Sequence, residues 1–215
     1  MSKRTKRYLM VILGFMIVGT ACAFTMKANV GVGAWDALAK SSNSLTGIQV
    51  GTCGMIFNTC CVIGQILILR KNFRFIQLLQ LPLNILLGSV VNLVLYNILI
   101  FSFDSFIGGI VMYILATVVA AFGVSLVMLI DEVTFALEGF CMALTKVISY
   151  KFSTVRQAVD VISIIVIIFL TLIFDIPWSI GVGTIIGMLI FGPLLGIFMK
   201  LLKPILKKYD FLNYE

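Results

Sequence analysis

The sequence predicts an all-α polytopic membrane protein with six transmembrane helices. Three observations predict it. The chain of 215 residues is 61% hydrophobic with a mean hydropathy of +1.14, against about 45–50% apolar in an ordinary soluble domain. The apolar residues gather into runs of roughly 20, the length that crosses a ~30 Å hydrocarbon core. The basic residues fall between those runs. A soluble domain of this size has no single core large enough to bury so much apolar surface, and the polar stripes of soluble helices are missing.

The runs are taken in order. The first covers about 8–28, behind Lys3, Arg4, Lys6 and Arg7. Such a start resembles a signal peptide, but no small-residue cleavage site follows and more runs come after it, so it reads as the first helix. The others cover about 48–69, 77–99, 107–130, 157–175 and 180–200. Between them stand Gly31, Gly33 and the serines of 41–44, the basic stretch 70–74, Asp104, the acids 131–132, and 175–177 with its proline.

Charge sets the orientation. With the first segment inside, Lys3, Arg4, Lys6, Arg7, Arg70, Lys71, Arg74, Lys146, Lys151, Arg156, Lys200, Lys203, Lys207 and Lys208 all fall inside. Only Lys27 and Lys40 fall outside. That asymmetry is the positive-inside pattern, and it predicts both termini in the cytoplasm. Five spans would put the last lysine cluster on the wrong side. Trp178 stands at a helix mouth, as an interfacial anchor or a helix-packing residue.

Composition also excludes. The net charge of +7 lies in loops without an aromatic-interleaved basic face, so no nucleic-acid surface is expected. The chain has no histidine, which removes His metal ligands and His general bases. Cys22, Cys53, Cys60, Cys61 and Cys141 are odd in number and scattered, unlike a disulfide framework. No zinc-ligand set, nucleophile elbow or nucleotide loop is present. Neither a metal nor a cofactor is called for, and a membrane enzyme is the weaker reading; Cys141 near Glu138 is its one pair to inspect.

Two long connections carry the organisation. Segments 29–47 and 131–156 each follow the first helix of a three-helix unit. Each holds an acid among apolar residues, Asp36 in AWDAL and Glu138 in ALEGF. Each then reaches a step resembling a helix cap, Thr46-Gly47 and Ser153-Thr154, followed by Gln49 and Arg156. The chain thus divides into a first unit, 1–105, and a second, 106–215, with a basic cytoplasmic tail. Three spans per unit place the second upside down. Inverted repeats put binding sites near the midplane at broken helices. The two segments read either as re-entrant or as amphipathic helices lying flat on the membrane.

The candidate pathway residues are the polar groups in this apolar field. Asp36 lies beside Trp35 between glycine-rich stretches. Asp160 follows Arg156 by four residues, which puts both on one helix face. The pair reads as a salt bridge near the cytoplasmic mouth, or as a gate or anion contact. Asn58 and Gln65, and Asn84 and Asn92, repeat at helical spacing, which suits helix packing or a polar cavity. Gly181, Gly183 and Thr184 open the sixth run, where free amides suit an anion. Gly192-Pro193 is expected to weaken or kink that helix.

The stretch Gly31-Val32-Gly33-Ala34-Trp35-Asp36-Ala37-Leu38, the Thr46-Gly47 step, Arg156 with Asp160, and Gly181-Val182-Gly183-Thr184 with Gly192-Pro193 resemble the YczE/YyaS/YitT group of bacterial membrane proteins, over roughly 8–200. The resemblance implies a multi-pass protein of the bacterial plasma (inner) membrane without a settled substrate. It supports Asp36 and the Arg156/Asp160 pair as family positions. Glu138 departs from it, standing where an aspartate closely preceded by proline is expected.

These readings converge on a secondary transporter or exporter of a small solute, working by alternating access between inverted halves. The candidate pathway is Trp35, Asp36, Gln49, Asn58, Asn92, Glu138, Arg156, Asp160, Gly181, Gly183 and Thr184. The alternative is a non-transporting membrane scaffold or maturation partner. Expected partners are membrane lipids, the solute, and a second copy or another membrane protein.

Overall fold

The computed structural model describes residues 3–100, 105–209 and 211; Asp104 lies outside the described residues. Among these, every regular element is helical: α1 (Lys3–Lys27), α2 (Ala34–Thr46), α3 (Val50–Leu69), α4 (Gln80–Leu93), α5 (Phe106–Ile130), α6 (Ala136–Thr145), α7 (Phe152–Phe174) and α8 (Val182–Lys208). Two 3₁₀ turns, Arg70–Asn72 and Phe75–Leu79, join α3 to α4, and a π turn, Val94–Ile98, closes α4. Six helical stretches have the length and apolarity to cross a membrane: Lys3–Lys27, Val50–Asn72, Phe75–Ile98, Phe106–Ile130, Phe152–Phe174 and Val182–Lys208. The chain is a multi-pass membrane protein.

The six stretches follow the apolar runs, with two differences. The fifth starts at Phe152, because Arg156 and Asp160 satisfy each other inside the helix instead of stopping it. The sixth runs to Lys208 straight through Pro193 and Pro204. Membrane helices tolerate proline because neighbours and local adjustments satisfy the freed carbonyl, and Lys207 and Lys208 in the last turn complement the helix dipole.

The expected caps are also corrected. Gly47 ends α2 rather than starting α3, taking φ 74° while its N–H bonds to the Asn43 carbonyl. That left-handed close is a glycine C-cap. Ser153 and Thr154 lie inside the first turn of α7, whose N-cap is Lys151.

α2 and α6, of 13 and 10 residues, are about 20 and 15 Å long at 1.5 Å per residue, too short to span the hydrocarbon. Both pack against α3 and against α7. None of residues 34–43 is exposed, whereas Ser44, Leu45 and Thr46 at the end of α2 are.

The long helices pack around a central α1–α5 pair. There Phe15 stacks on Phe135 at 4.2 Å, among Val11, Val18, Val127 and Ile130. α4 leans on α1, and α8 leans on α5. Small residues set the close approaches: Gly51 of α3 and Gly88 of α4 meet backbone to backbone. Asn92 fastens the same seam, accepting from Gly51 N at 2.8 Å and donating to Thr52 at 3.1 Å.

Element starts recur at a fixed spacing. Ala34, Val50 and Gln80 open α2, α3 and α4; Ala136, Phe152 and Val182 open α6, α7 and α8. From 34 to 136, 50 to 152 and 80 to 182 the offset is 102 residues each time. Contacts recur likewise, α3 on α6 and α2 on α7, α2 on α3 and α6 on α7, α1 on α4 and α5 on α8. Spacing and contacts are consistent with an inverted repeat of two three-helix units.

Candidate functional site

The two half-helices place an acid alike. α2 begins after Gly33 in an alanine-rich stretch and carries Asp36 in its first turn; α6 carries Glu138 in its first turn. A carboxylate there faces the positive end of the helix dipole. Both half-helices pack against α3 and α7, which brings the two acids within electrostatic range of each other.

Arg156, the fifth residue of α7, reaches both ways. Its Nη1 donates to Asp160 one turn along, and its Nε stands 3.7 Å from Glu138 Oε1 on α6. The Arg156, Glu138 and Asp160 side chains are only 24%, 15% and 18% exposed, respectively. One guanidinium thus serves two carboxylates. An ionised group deep in a bilayer costs about 2.5–3.5 kcal/mol on insertion scales, and mutual pairing offsets part of it.

Asp36 lies within electrostatic range of Arg156, Asp160 and Glu138. It has no ion-pair partner among the described residues, and the Cys22 thiol of α1 stands within reach of it. Beside it, Trp35 Nε1 donates to Asn58 Oδ1 of α3 at 3.2 Å, and the Trp35 ring meets Phe57 edge-on at 6.1 Å. Asp36, Trp35, Asn58, Gly54, Met55 and Cys22 line a partly open cavity of about 40 Å³, bounded on the α4 side by Leu87, Gly88 and Val91. A single water needs roughly 10–15 Å³, so a molecule of a few heavy atoms fits. A larger hollow of about 390 Å³ opens at the end of α7, around Asp175 and Trp178. It sits apart from the charged cluster, and Trp178 is 58% exposed there.

Of the residues singled out in the sequence, Trp35, Asp36, Asn58, Glu138, Arg156 and Asp160 are therefore neighbours. The others are not part of this group. Gln49 is an exposed N-cap of α3 without a side-chain cap bond. Asn92 fastens α3 to α4. The amides of the sixth run have internal partners: Gly183 N donates to Val30 O at 2.7 Å, Gly181 N to Thr184 Oγ1 at 3.1 Å, and Thr184 Oγ1 to Val32 O at 2.7 Å. They tie the loop before α2 to the start of α8. Gly31 belongs to the same tie, with φ 94° and its α-carbon packed on Gly181; only glycine meets both demands at low cost.

Gln65 and Asn58 do not share a partner despite their spacing. Gln65 bonds to Gln80 of α4 at 2.8 Å and to the Ala136 carbonyl of α6 at 3.0 Å, so it acts as helix glue. Cys141 is fully buried in an apolar cluster with Cys61 and Val62. No group of three or more metal-ligating side chains exists among the described residues. Sequence reasoning missed Cys22 and Gly54, which line the cavity. The signal for Gly54 is its 102-residue offset from Arg156, which emerges only with the helix starts.

The fold and this buried cluster define a polytopic all-α membrane protein with charged groups between two half-helices. Residues 5–200 match the model of a family of unknown function, DUF6198, and the chain belongs to that family. The match supports an uncharacterised polytopic membrane-protein family and is not specific to the YczE/YyaS/YitT group. No curated protein and no solved structure matches the chain.

Proposed function

We propose that the chain is a secondary transporter of a small solute, working by alternating access between two inverted units, 1–105 and 106–215. The observation that carries this reading is the cluster of Asp36, Glu138, Arg156 and Asp160, gathered where two half-helices start between membrane-length helices. Ionisable groups at such places are costly to keep and mark solute or ion pathways. The 102-residue spacing and the matched contacts support the inverted repeat, and inverted repeats hold their sites at discontinuous helices. α2 and α6 are then the re-entrant halves, Asp36 faces the cavity, and Arg156 bridges the opposite acids. The basic segments hold both termini in the cytoplasm of a bacterial plasma membrane. Coupling comes from an ion gradient, in keeping with a sequence that carries no nucleotide loop.

Accessibility tests this without knowing the solute. All five cysteines are replaced, one cysteine is placed at the cavity residue Met55, and sealed vesicles of known orientation are treated with an impermeant maleimide. Transport predicts reaction from either side in separate experiments, with the proportions shifting when a proton or sodium gradient is imposed. Reaction from one side only, unmoved by either gradient, refutes alternating access.

A further inference from the structure

The two halves match position by position around the charged cluster. Asp36 and Glu138 are each the third residue of a half-helix, in α2 and α6. Gly54 and Arg156 are each the fifth residue of the following helix, and Asn58 and Asp160 each the ninth. In the second half the set is acid, arginine, acid, and the guanidinium sits on both carboxylates. In the first half it is acid, glycine, amide.

Where the second half carries its own cation, the first half has space. A Cβ on Gly54 would meet nothing within 4 Å, and Gly54 lines the cavity together with Asp36 and Asn58. Asp36 is the acid left without an ion-pair partner among the described residues. Asn58 Oδ1 accepts one bond from Trp35, and a carbonyl oxygen has a second lone pair to offer. Trp35 also lines the cavity. Three carboxylates and one arginine carry a formal charge that disfavours an anion.

The geometry points to the cavity at Gly54 as a binding site for a small organic monovalent cation of guanidinium or primary ammonium type, held by Asp36 and Asn58 as Glu138 and Asp160 hold Arg156. The inference rests on the transport reading for its biological sense and names the solute class. The dipole at the start of α2 is no obstacle, because Glu138 occupies the same place on α6 and binds a guanidinium there.

The test uses the full chain purified in mild detergent and titrated calorimetrically with guanidinium chloride and with methylammonium chloride. Urea matches guanidinium in shape without charge, and sodium chloride supplies the same anion. Saturable binding of one of the two cations, absent with urea and sodium chloride, is expected. Asp36→Asn should weaken it about 10- to 100-fold, the worth of one charge-assisted hydrogen bond. Gly54→Arg places a tethered guanidinium in the open space and should abolish binding while the chain still elutes as a folded species; it carries the test alone if Asp36→Asn misfolds. Absence of saturable binding by either cation, or undiminished binding in folded Gly54→Arg, overturns the inference. The two readings fail separately. Two-sided labelling without cation binding leaves transport and removes this site, whereas cation binding with one-sided labelling leaves the site and removes transport.

Discussion

Replacing Arg156 by methionine removes the only cation that touches Glu138 and Asp160 among the described residues and leaves a shorter, uncharged, unbranched side chain. Two carboxylates, 15% and 18% exposed, are then left facing each other. Breaking a fully buried ion pair from one side costs about 3–5 kcal/mol, and an exposed pair about 0–1 kcal/mol. Partial exposure places this loss at about 2–3 kcal/mol. The assay is reversible unfolding in mixed micelles with increasing SDS, followed by the fluorescence of Trp35 and Trp178. A second arm separates charge from packing. The triple variant Arg156→Met, Glu138→Gln, Asp160→Asn removes the stranded charges and should regain most of the loss, as non-additivity within one network requires. Unchanged stability in the single variant, or a triple variant worse than the single one, refutes the electrostatic account of this cluster.

The remaining predictions concern the seams and the topology. Gln65→Leu leaves the buried Gln80 amide short of its partner and should destabilise by about 1–3 kcal/mol in the same assay, whereas adding Gln80→Leu should recover part of that loss. In a cysteine-free background, a cysteine at Asp104 should react with an impermeant maleimide added outside intact cells, and one at Arg74 only after permeabilisation; the reversed pattern would overturn the positive-inside assignment.

The spans were legible because hydrocarbon imposes one simple demand, roughly 20 apolar residues per crossing, and Phe106–Ile130 meets it without a charged side chain. The acids of the half-helices were legible too, since an isolated Asp36 or Glu138 in an apolar stretch stands out by its cost. The 102-residue spacing of the helix starts was harder to read. The caps misled, because Thr46-Gly47 closes a helix and Ser153-Thr154 lies inside one; comparing them paired Gln49 with Arg156, whereas the helix starts pair Gly54 with Arg156. Gly181, Gly183 and Thr184 looked like a free anion cradle. Whether a helix start keeps its donors free depends on what packs on it, and here the Val30 carbonyl takes the Gly183 amide and the Val32 carbonyl takes the hydroxyl of Thr184, 152 residues further along the chain. A cavity is likewise invisible in a string, since Gly54 reads as a helix-packing glycine until nothing is found opposite it.

The two halves also differ in a way that bears on motion. α3 is fastened to α4 by the Gly51–Gly88 approach, by Asn92 and by Gln65 with Gln80. The corresponding helices α7 and α8 are not a closely packed pair among the described residues. α8 is held elsewhere, by Ser125 donating to the Leu195 carbonyl, by Phe122 against Phe198, and by the tie between its first turn and Val30 and Val32. α7 therefore keeps its place mainly through α2 and α6, the two elements that carry the acids. Its own Arg156 stands 3.7 Å from Glu138 of α6 at that contact. Under the transport reading, α7 is the helix whose position depends most directly on the charge state of the cluster, because its contacts run mainly through α2 and α6, the elements that carry Asp36 and Glu138.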